Sequence, residues 1–130
     1  MQSNINISMV ALSAVSRNDL QWIATLDNIG YDKRSARELI EGIAEGRFAL
    51  WRLSGDASGV FITSLTPRAL WIEGMAGEGI LRHAAAIRDK LQDIKAKASK
   101  AVIQGTVDRP GLQRLYERLG HKPVATIMEA

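Results

Sequence analysis

The second half of the chain carries an ordered series of signals for a strand, a short glycine segment, a long helix, a second strand and a second helix. The first strand signal covers residues 70–76 and leads into Gly77-Glu78-Gly79, after which a helix signal begins at Ile80. A glycine segment at the start of a helix points several backbone N–H groups, and the positive end of the helix dipole, at one place. The series therefore predicts an anion site of a kind that suits a pyrophosphate.

The helix signal after the glycine segment is the clearest in the chain. Its apolar residues recur at alternating intervals of four and three, as Ile80, Ala84, Ile87, Leu91, Ile94 and Ala98. This spacing predicts an amphipathic helix over about 80–98 with one buried stripe. Residues 101–107 predict a strand that the crossover helix places parallel to the first, with a right-handed connection. Pro110 fits the first turn of a last helix, and a final strand is predicted over 124–128.

The first half of the chain predicts a strand, two helices and a hairpin. These elements are a strand over 4–12, helices over about 19–28 and 32–45, and hairpin strands over 47–53 and 59–65. Ser16 and Asp19 have the spacing of a capping serine and an acid three residues later, which marks the start of the first helix.

The order of elements, β-αα-βββ-α-β-α-β, defines the predicted fold class. It predicts an α/β fold with a single mixed, mostly antiparallel β-sheet and helices on both faces. The chain has 130 residues and 46% hydrophobic content, which suits one domain over residues 1–130.

Composition excludes several classes of function. No apolar run approaches the roughly 18 residues of a membrane helix, and no basic segment followed by an apolar core marks a secretory signal, so we expect a cytoplasmic protein. The absence of cysteine excludes disulfides, thiolate metal sites and a cysteine nucleophile. His83 and His121 are the only histidines and are far apart in sequence, so no metal site is predicted.

The net charge of +3 comes mainly from one segment. Its basic residues are Arg82, Arg88, Lys90, Lys95, Lys97 and Lys100, against Asp89 and Asp93. One interpretation is a positive surface for an anionic ligand such as CoA or a nucleic acid. The other is a solvated helix face whose cations complement the helix dipole. The lack of interleaved aromatic residues argues against nucleic acid.

The order strand, Gly-x-Gly, helix, strand and the segment "LYERLG" resembles the acyl-CoA-binding half of the GNAT acetyltransferase superfamily, and the element order is similar to the GNAT fold over nearly the whole chain. In that family the fourth strand splays from the fifth, the pantetheine arm of acetyl-CoA enters the split, and the pyrophosphate lies on the following loop. The cofactor-binding residues that the resemblance implies are Met75 and Ala76 beside the pantetheine, and Gly77, Glu78, Gly79 and Ile80 as backbone donors.

The resemblance also implies two catalytic residues. The tyrosine of the family's "LY" segment often acts as general acid to the departing CoA thiolate, and here it is Tyr116; the alternative is a tyrosine that only packs its helix. A base is expected on the fourth or fifth strand, where Glu73 is placed on the same strand face as Trp71 and Met75. The alternative for Glu73 is an ordinary solvated side chain.

These observations leave two functions open. The first is an acyl-CoA-dependent N-acyltransferase that moves an acetyl group from acetyl-CoA to an unknown amine. The acidic residues of the first two predicted helices, Asp27, Asp32, Glu38 and Glu41, favour a cationic amine.

The second is a catalytically inactive GNAT-like fold that serves as a bacteriophage virion or assembly protein. In the glycine loop Gly74 stands where the family has Gln or Arg, and Glu78 adds a negative charge at the proposed phosphate site. Small divergent bacteriophage-encoded GNAT-like proteins are similar in this respect. Its partners would be other virion proteins and its location the virion, whereas an active phage enzyme would work in the host cytoplasm.

Overall fold

The computed structural model describes residues 4–26 and 34–106 and the short pieces 117–118, 122–124 and 127–129. The strands are β1 (Ile5–Met9), β2 (Ala49–Gly55), β3 (Ser58–Leu65), β4 (Ala69–Glu78), β5 (Val102–Thr106), β6 (Lys122–Val124) and β7 (Ile127–Glu129). The helices are α1 (Arg17–Ala24), α2 (Ala36–Ala44) and α3 (Ala84–Lys97), with a short 3-10 helix at Leu12–Ala14.

All seven strands form one sheet in the order β1-β2-β3-β4-β5-β7-β6. Neighbours are antiparallel except β4 and β5, which are parallel and joined through α3. This confirms the predicted single, mixed and mostly antiparallel sheet. The single final strand predicted over 124–128 is wrong, because β6 and β7 pair antiparallel with Val124 opposite Ile127. The two residues between them, Ala125 and Thr126, carry none of the glycine or asparagine signals of a tight hairpin.

The apolar core lies in two layers, one on each face of the sheet. The layer under α3 contains Trp51, Leu53, Phe61, Leu70, Ile72, Met75, Ile87, Leu91 and Ile103. The layer under α1 and α2 contains Val10, Ile23, Leu26, Leu39, Phe48, Leu50, Val60 and Ile62. Helices therefore cover both faces, as predicted. Within the described residues, no helix has both the length and the apolar content to cross a bilayer.

Asp19 fixes the start of α1 on the sheet. Its Oδ2 accepts a hydrogen bond from the backbone N–H of Ser16, whose hydroxyl accepts from the Asp19 N–H, so the predicted capping box is present. Arg52 on β2 donates from Nε to Asp19 Oδ1 at 2.9 Å and also bonds Oδ2. The hydrogen bond from Arg52 holds the pKa of this buried carboxyl below its usual range, against the opposing effect of burial.

Candidate functional site

The pairing between the parallel strands β4 and β5 ends at Ile72 of β4. Their pairing runs from Ala69 opposite Val102 to Ile72 opposite Gly105. Strand β4 then continues to Glu78 along β3, while the end of β5 pairs with β7. Within the described residues, where β5 ends at Thr106, the edge of β4 beyond Ile72 therefore pairs with a strand on the β3 side only.

A β-bulge lies at Glu73, directly after the last residue of β4 that pairs with β5. Ile72 is opposite Thr63 and Gly74 is opposite Ile62, so Glu73 is an extra residue without its own partner on β3. A bulge changes the side on which the following side chains lie. Met75 accordingly packs in the α3 layer with Ile72, three positions earlier. The prediction that Glu73 and Met75 share a strand face is therefore wrong, because the bulge at Glu73 breaks the alternation.

The carboxylate of Glu73 is held by two side chains from other elements. Oε1 accepts a hydrogen bond from Arg34 Nε at 3.1 Å, and Oε2 accepts one from the Ser64 hydroxyl at 2.7 Å. The side chain of Glu73 is only 9% exposed. A freely solvated glutamate is thus excluded here, and the group is a carboxylate with a donor on each oxygen.

Arg34 is itself constrained by the helix that follows it. It precedes Ser35, the N-cap of α2, whose hydroxyl accepts from the Glu38 N–H. The guanidinium carbon lies 5.0 Å from the centre of the Phe48 ring. Phe48 occupies the space left by Gly42, where any β-carbon would collide with the ring. No sequence signal indicated Arg34 or Ser64, because a contact between positions 34 and 73 has no local pattern.

The predicted glycine loop is partly a strand. Gly77 and Glu78 belong to β4 and lie opposite Gly59 and Ser58 of β3. A β-carbon on Gly77 would collide with the Ser58 carbonyl oxygen and come within 2.9 Å of the Gly59 α-carbon. Gly77 is therefore required by the close approach of two strands, whether or not a ligand binds.

The turn between β4 and α3 contains several backbone N–H donors. Gly79 has φ of +79°, a conformation that favours glycine. The N–H of His83 bonds to the carbonyl oxygens of Gly79 and Ile80, each at 3.2 Å, which closes one helical turn. The regular helix starts at Ala84, so the predicted start at Ile80 is wrong by four residues. In such a turn the N–H groups of residues 80–82 have no acceptor inside the turn.

The other predicted site residues are placed as follows. Met75 and Ile80 are buried in the α3 layer, 8% and 9% exposed, so their side chains serve the core. Ala76 is half-buried against the α1–α2 layer. Glu78 is exposed. Tyr116 lies outside the described residues. Within those residues, no group of three or more metal-ligating side chains comes together.

The basic face of α3 carries its own counter-charges. Asp93 lies 3.1 Å from Lys97 and 3.9 Å from Lys90, and Asp89 lies 3.4 Å from Arg88. These partly exposed pairs agree with a solvated helix face rather than a nucleic-acid surface.

Comparison with known proteins identifies the fold. No protein-family model and no curated protein matches the chain. A Bacillus subtilis acetyltransferase in complex with CoA is 18% identical, with a TM-score of 0.61 over 94% of this chain and 79% of that chain. A GNAT-family protein from Desulfovibrio desulfuricans is 14% identical, with a TM-score of 0.61 over 97% and 98%. The ribosomal-protein-S18-alanine N-acetyltransferase from Escherichia coli is 14% identical, with a TM-score of 0.55 over 96% and 92%.

At these identities the likeness establishes the fold: the chain has the GNAT fold that its sequence predicted. The bacteriophage resemblance and the virion role find no support in these comparisons.

Proposed function

We propose that this protein is an acyl-CoA-dependent N-acyltransferase that moves an acetyl group from acetyl-CoA to an amine. The observation that carries the proposal is the edge of β4 beyond Ile72, which begins at a bulge, runs to the turn that precedes α3 and, within the described residues, pairs only with β3. A sheet that keeps its strands paired throughout would leave no strand edge here for a substrate.

The edge of β4 and the turn before α3 offer two kinds of contact to the substrate acetyl-CoA. Between Glu73 and Glu78 the second edge of β4 pairs with no strand of the described part of the chain, and it suits the amides of pantetheine, which would add to the strand as a peptide does. The N–H groups of Ile80, Leu81 and Arg82, at the positive end of the turn and of α3, suit the pyrophosphate. The cationic side chain of Arg82 is exposed in this turn and offsets part of the charge of Glu78.

The reaction proposed is direct attack. The amine nitrogen bonds to the thioester carbon, the carbon–sulfur bond breaks, and CoA leaves as the thiolate. A water hydrogen-bonded to Glu73, or Glu73 itself, takes the proton of the amine, and Tyr116 protonates the thiolate. The water route suits Glu73 better, because both carboxylate oxygens already accept hydrogen bonds.

Two of the four acidic residues that favoured a cationic amine already have partners near α2. Glu38 accepts from the backbone N–H of Ser35 in a capping box, and Glu41 pairs with Arg37 at 3.1 Å. These two carboxylates therefore serve α2. A preference for a cationic amine rests on Asp27 and Asp32, which lie outside the described residues.

Thermal-shift titration with CoA tests the binding half of the proposal. A ligand at about 100 times its Kd stabilises the folded state by roughly 2.7 kcal/mol, or several degrees in Tm. Glu78→Lys is expected to increase the shift, since it replaces repulsion by attraction near the pyrophosphate. Glu45→Lys, the same charge change at the exposed C-cap residue of α2, is the matched control. A flat response of the wild-type protein to millimolar CoA would contradict the proposal.

Tyr116→Phe tests the chemical half. Removing a general acid lowers turnover by about 10²–10⁴-fold. The CoA-induced change in Tm is expected to stay that of the wild type, because the phenol acts on the leaving thiolate. Steady-state assays with acetyl-CoA and a panel of amines measure this, and unchanged turnover with any accepted amine would remove Tyr116 from the mechanism.

A further inference from the structure

Two irregularities of the sheet meet at one residue. The bulge on the β3 side and the end of the β5 pairing both fall at Glu73, directly after Ile72. Neither irregularity is required by the other, since a bulged strand can keep its second neighbour. Something must therefore stabilise Glu73 outside the regular ladder.

The side-chain contacts of Glu73 supply that stabilisation. Arg34 and Ser64 donate to the two carboxylate oxygens at 3.1 and 2.7 Å, and the carboxylate is nearly buried. Hydrogen bonds to a charged group are stronger than neutral ones, and breaking one at a buried carboxylate is costly. We call these three residues the bulge clamp.

The clamp joins three separate elements. Ser64 lies on β3, Glu73 on β4, and Arg34 directly before the N-cap of α2. Because Phe48 packs against the Arg34 guanidinium, the cation is fixed on a second side. The bulge is thus tied to the helical layer of one face.

We propose that Arg34 and Ser64 are positioning residues of the acyl-CoA site: by clamping the Glu73 carboxylate they hold the bulge in place, and so fix the edge of β4 beyond Ile72 to which the ligand would bind. This inference rests on the proposed function for the identity of the ligand, and on the contacts of Glu73 for the clamp itself.

Loss of the clamp has a defined physical consequence. A bulge whose extra residue is released can be absorbed by a one-residue shift, which moves every later side chain to the opposite face. Met75 would leave the α3 layer and Ala76 the α1–α2 layer, so the shifted state is poor in packing and β4 beyond Gly74 would instead fluctuate. A fluctuating edge binds an extended ligand less tightly, because binding must then order it.

The test compares Arg34→Gln and Ser64→Ala with Arg37→Gln. Arg37 is a matched control, because it lies near Arg34 in sequence, loses the same charge and forms only an exposed pair with Glu41. Two quantities are measured: hydrogen exchange of the β4 amides at 74–78 in the apo protein, and the Kd of CoA by calorimetry. Amides of β2 at 49–53 report on the stability of the sheet as a whole.

Arg34→Gln and Ser64→Ala are both expected to raise hydrogen exchange at 74–78 and to leave it unchanged at 49–53. They are expected to weaken CoA binding about tenfold, as loss of one hydrogen bond to a charged group implies. Arg34→Lys keeps the cation without the planar fork, so it is expected to fall between the wild type and Arg34→Gln. Arg37→Gln is expected to match the wild type.

Three results would overturn the proposal: unchanged exchange at 74–78 in both clamp variants, an equal rise in β2 and β4, or an equal effect of Arg37→Gln. If Arg34→Gln does not fold, Ser64→Ala and Arg34→Lys decide the same question. If the wild-type protein does not bind CoA, the proposed function fails, and the exchange comparison still decides whether the clamp holds β4.

Discussion

At the scale of single residues, two buried carboxylates of the described part of the chain each have hydrogen-bond donors. Asp19 is 1% exposed and bonds to Arg52 and Ser16, and Glu73 has donors on both oxygens. Unpaired, either carboxylate would be expensive to bury. The sequence predicted the Asp19 cap from its spacing to Ser16. It gave no hint of Arg52 or Arg34, because these partners come from distant positions in the chain.

Asp19→Asn is expected to lower the free energy of unfolding by about 2 kcal/mol at neutral pH, since it leaves Arg52 with weaker acceptors. The folded-state pKa of Asp19 is lowered by Arg52. The unfolded value is about 3.9, so this stabilisation is present above that pH and is lost as the pH falls through the lower folded-state pKa. Urea unfolding of the wild type and the variant between pH 7 and pH 2 measures this stabilisation.

The difference between wild type and Asp19→Asn should therefore narrow below about pH 4. Asp89→Asn is the control, because that carboxylate is 75% exposed and its pairing with Arg88 is long. A difference that stays constant down to pH 2 would show that the ionised carboxylate is not what stabilises this contact.

At the scale of elements, local signals predicted the kinds of element well and their ends less well. The helix over 32–45 in fact starts at Ala36, and the capping pair of Ser35 and Glu38 was present in the sequence as a usable signal. Strand β4 runs two residues beyond the predicted 76, because pairing with Gly59 and Ser58 overrides the turn tendency of two nearby glycines. The bulge at Glu73 could not be predicted from the sequence. Gly74 beside it was the one hint, and a glycine inside a strand is too weak a signal to locate a bulge.

Gly77→Ala tests this assignment of the glycine to strand packing. The new methyl group meets the Ser58 carbonyl, so we expect a loss of about 1–3 kcal/mol in the free energy of unfolding, with or without CoA. Gly46→Ala is the comparison, because its β-carbon meets no atom within 4 Å and only its φ of +78° opposes the change. A Gly77→Ala protein as stable as the wild type, with only CoA binding lost, would contradict the strand assignment.

At the scale of the whole molecule, element order predicted most of the architecture. One crossover helix between β4 and β5 makes them parallel, and the surrounding meander makes the rest antiparallel. The resemblance to the GNAT fold places a cofactor site where the β4–β5 pairing ends, and that site stays a prediction. The bulge clamp lies beyond such reasoning, because it depends on a contact across 39 positions.

The most direct measurement is a titration of isotopically labelled protein with CoA, followed by amide chemical shifts. We predict saturable shifts concentrated in residues 73–83, along the edge of β4 beyond Ile72 and the turn before α3. No shift at millimolar CoA, or shifts centred on the apolar cleft of about 560 Å³ between Met9, Leu65 and Ile94 at the other end of the sheet, would contradict an acyl-CoA site along this edge of β4.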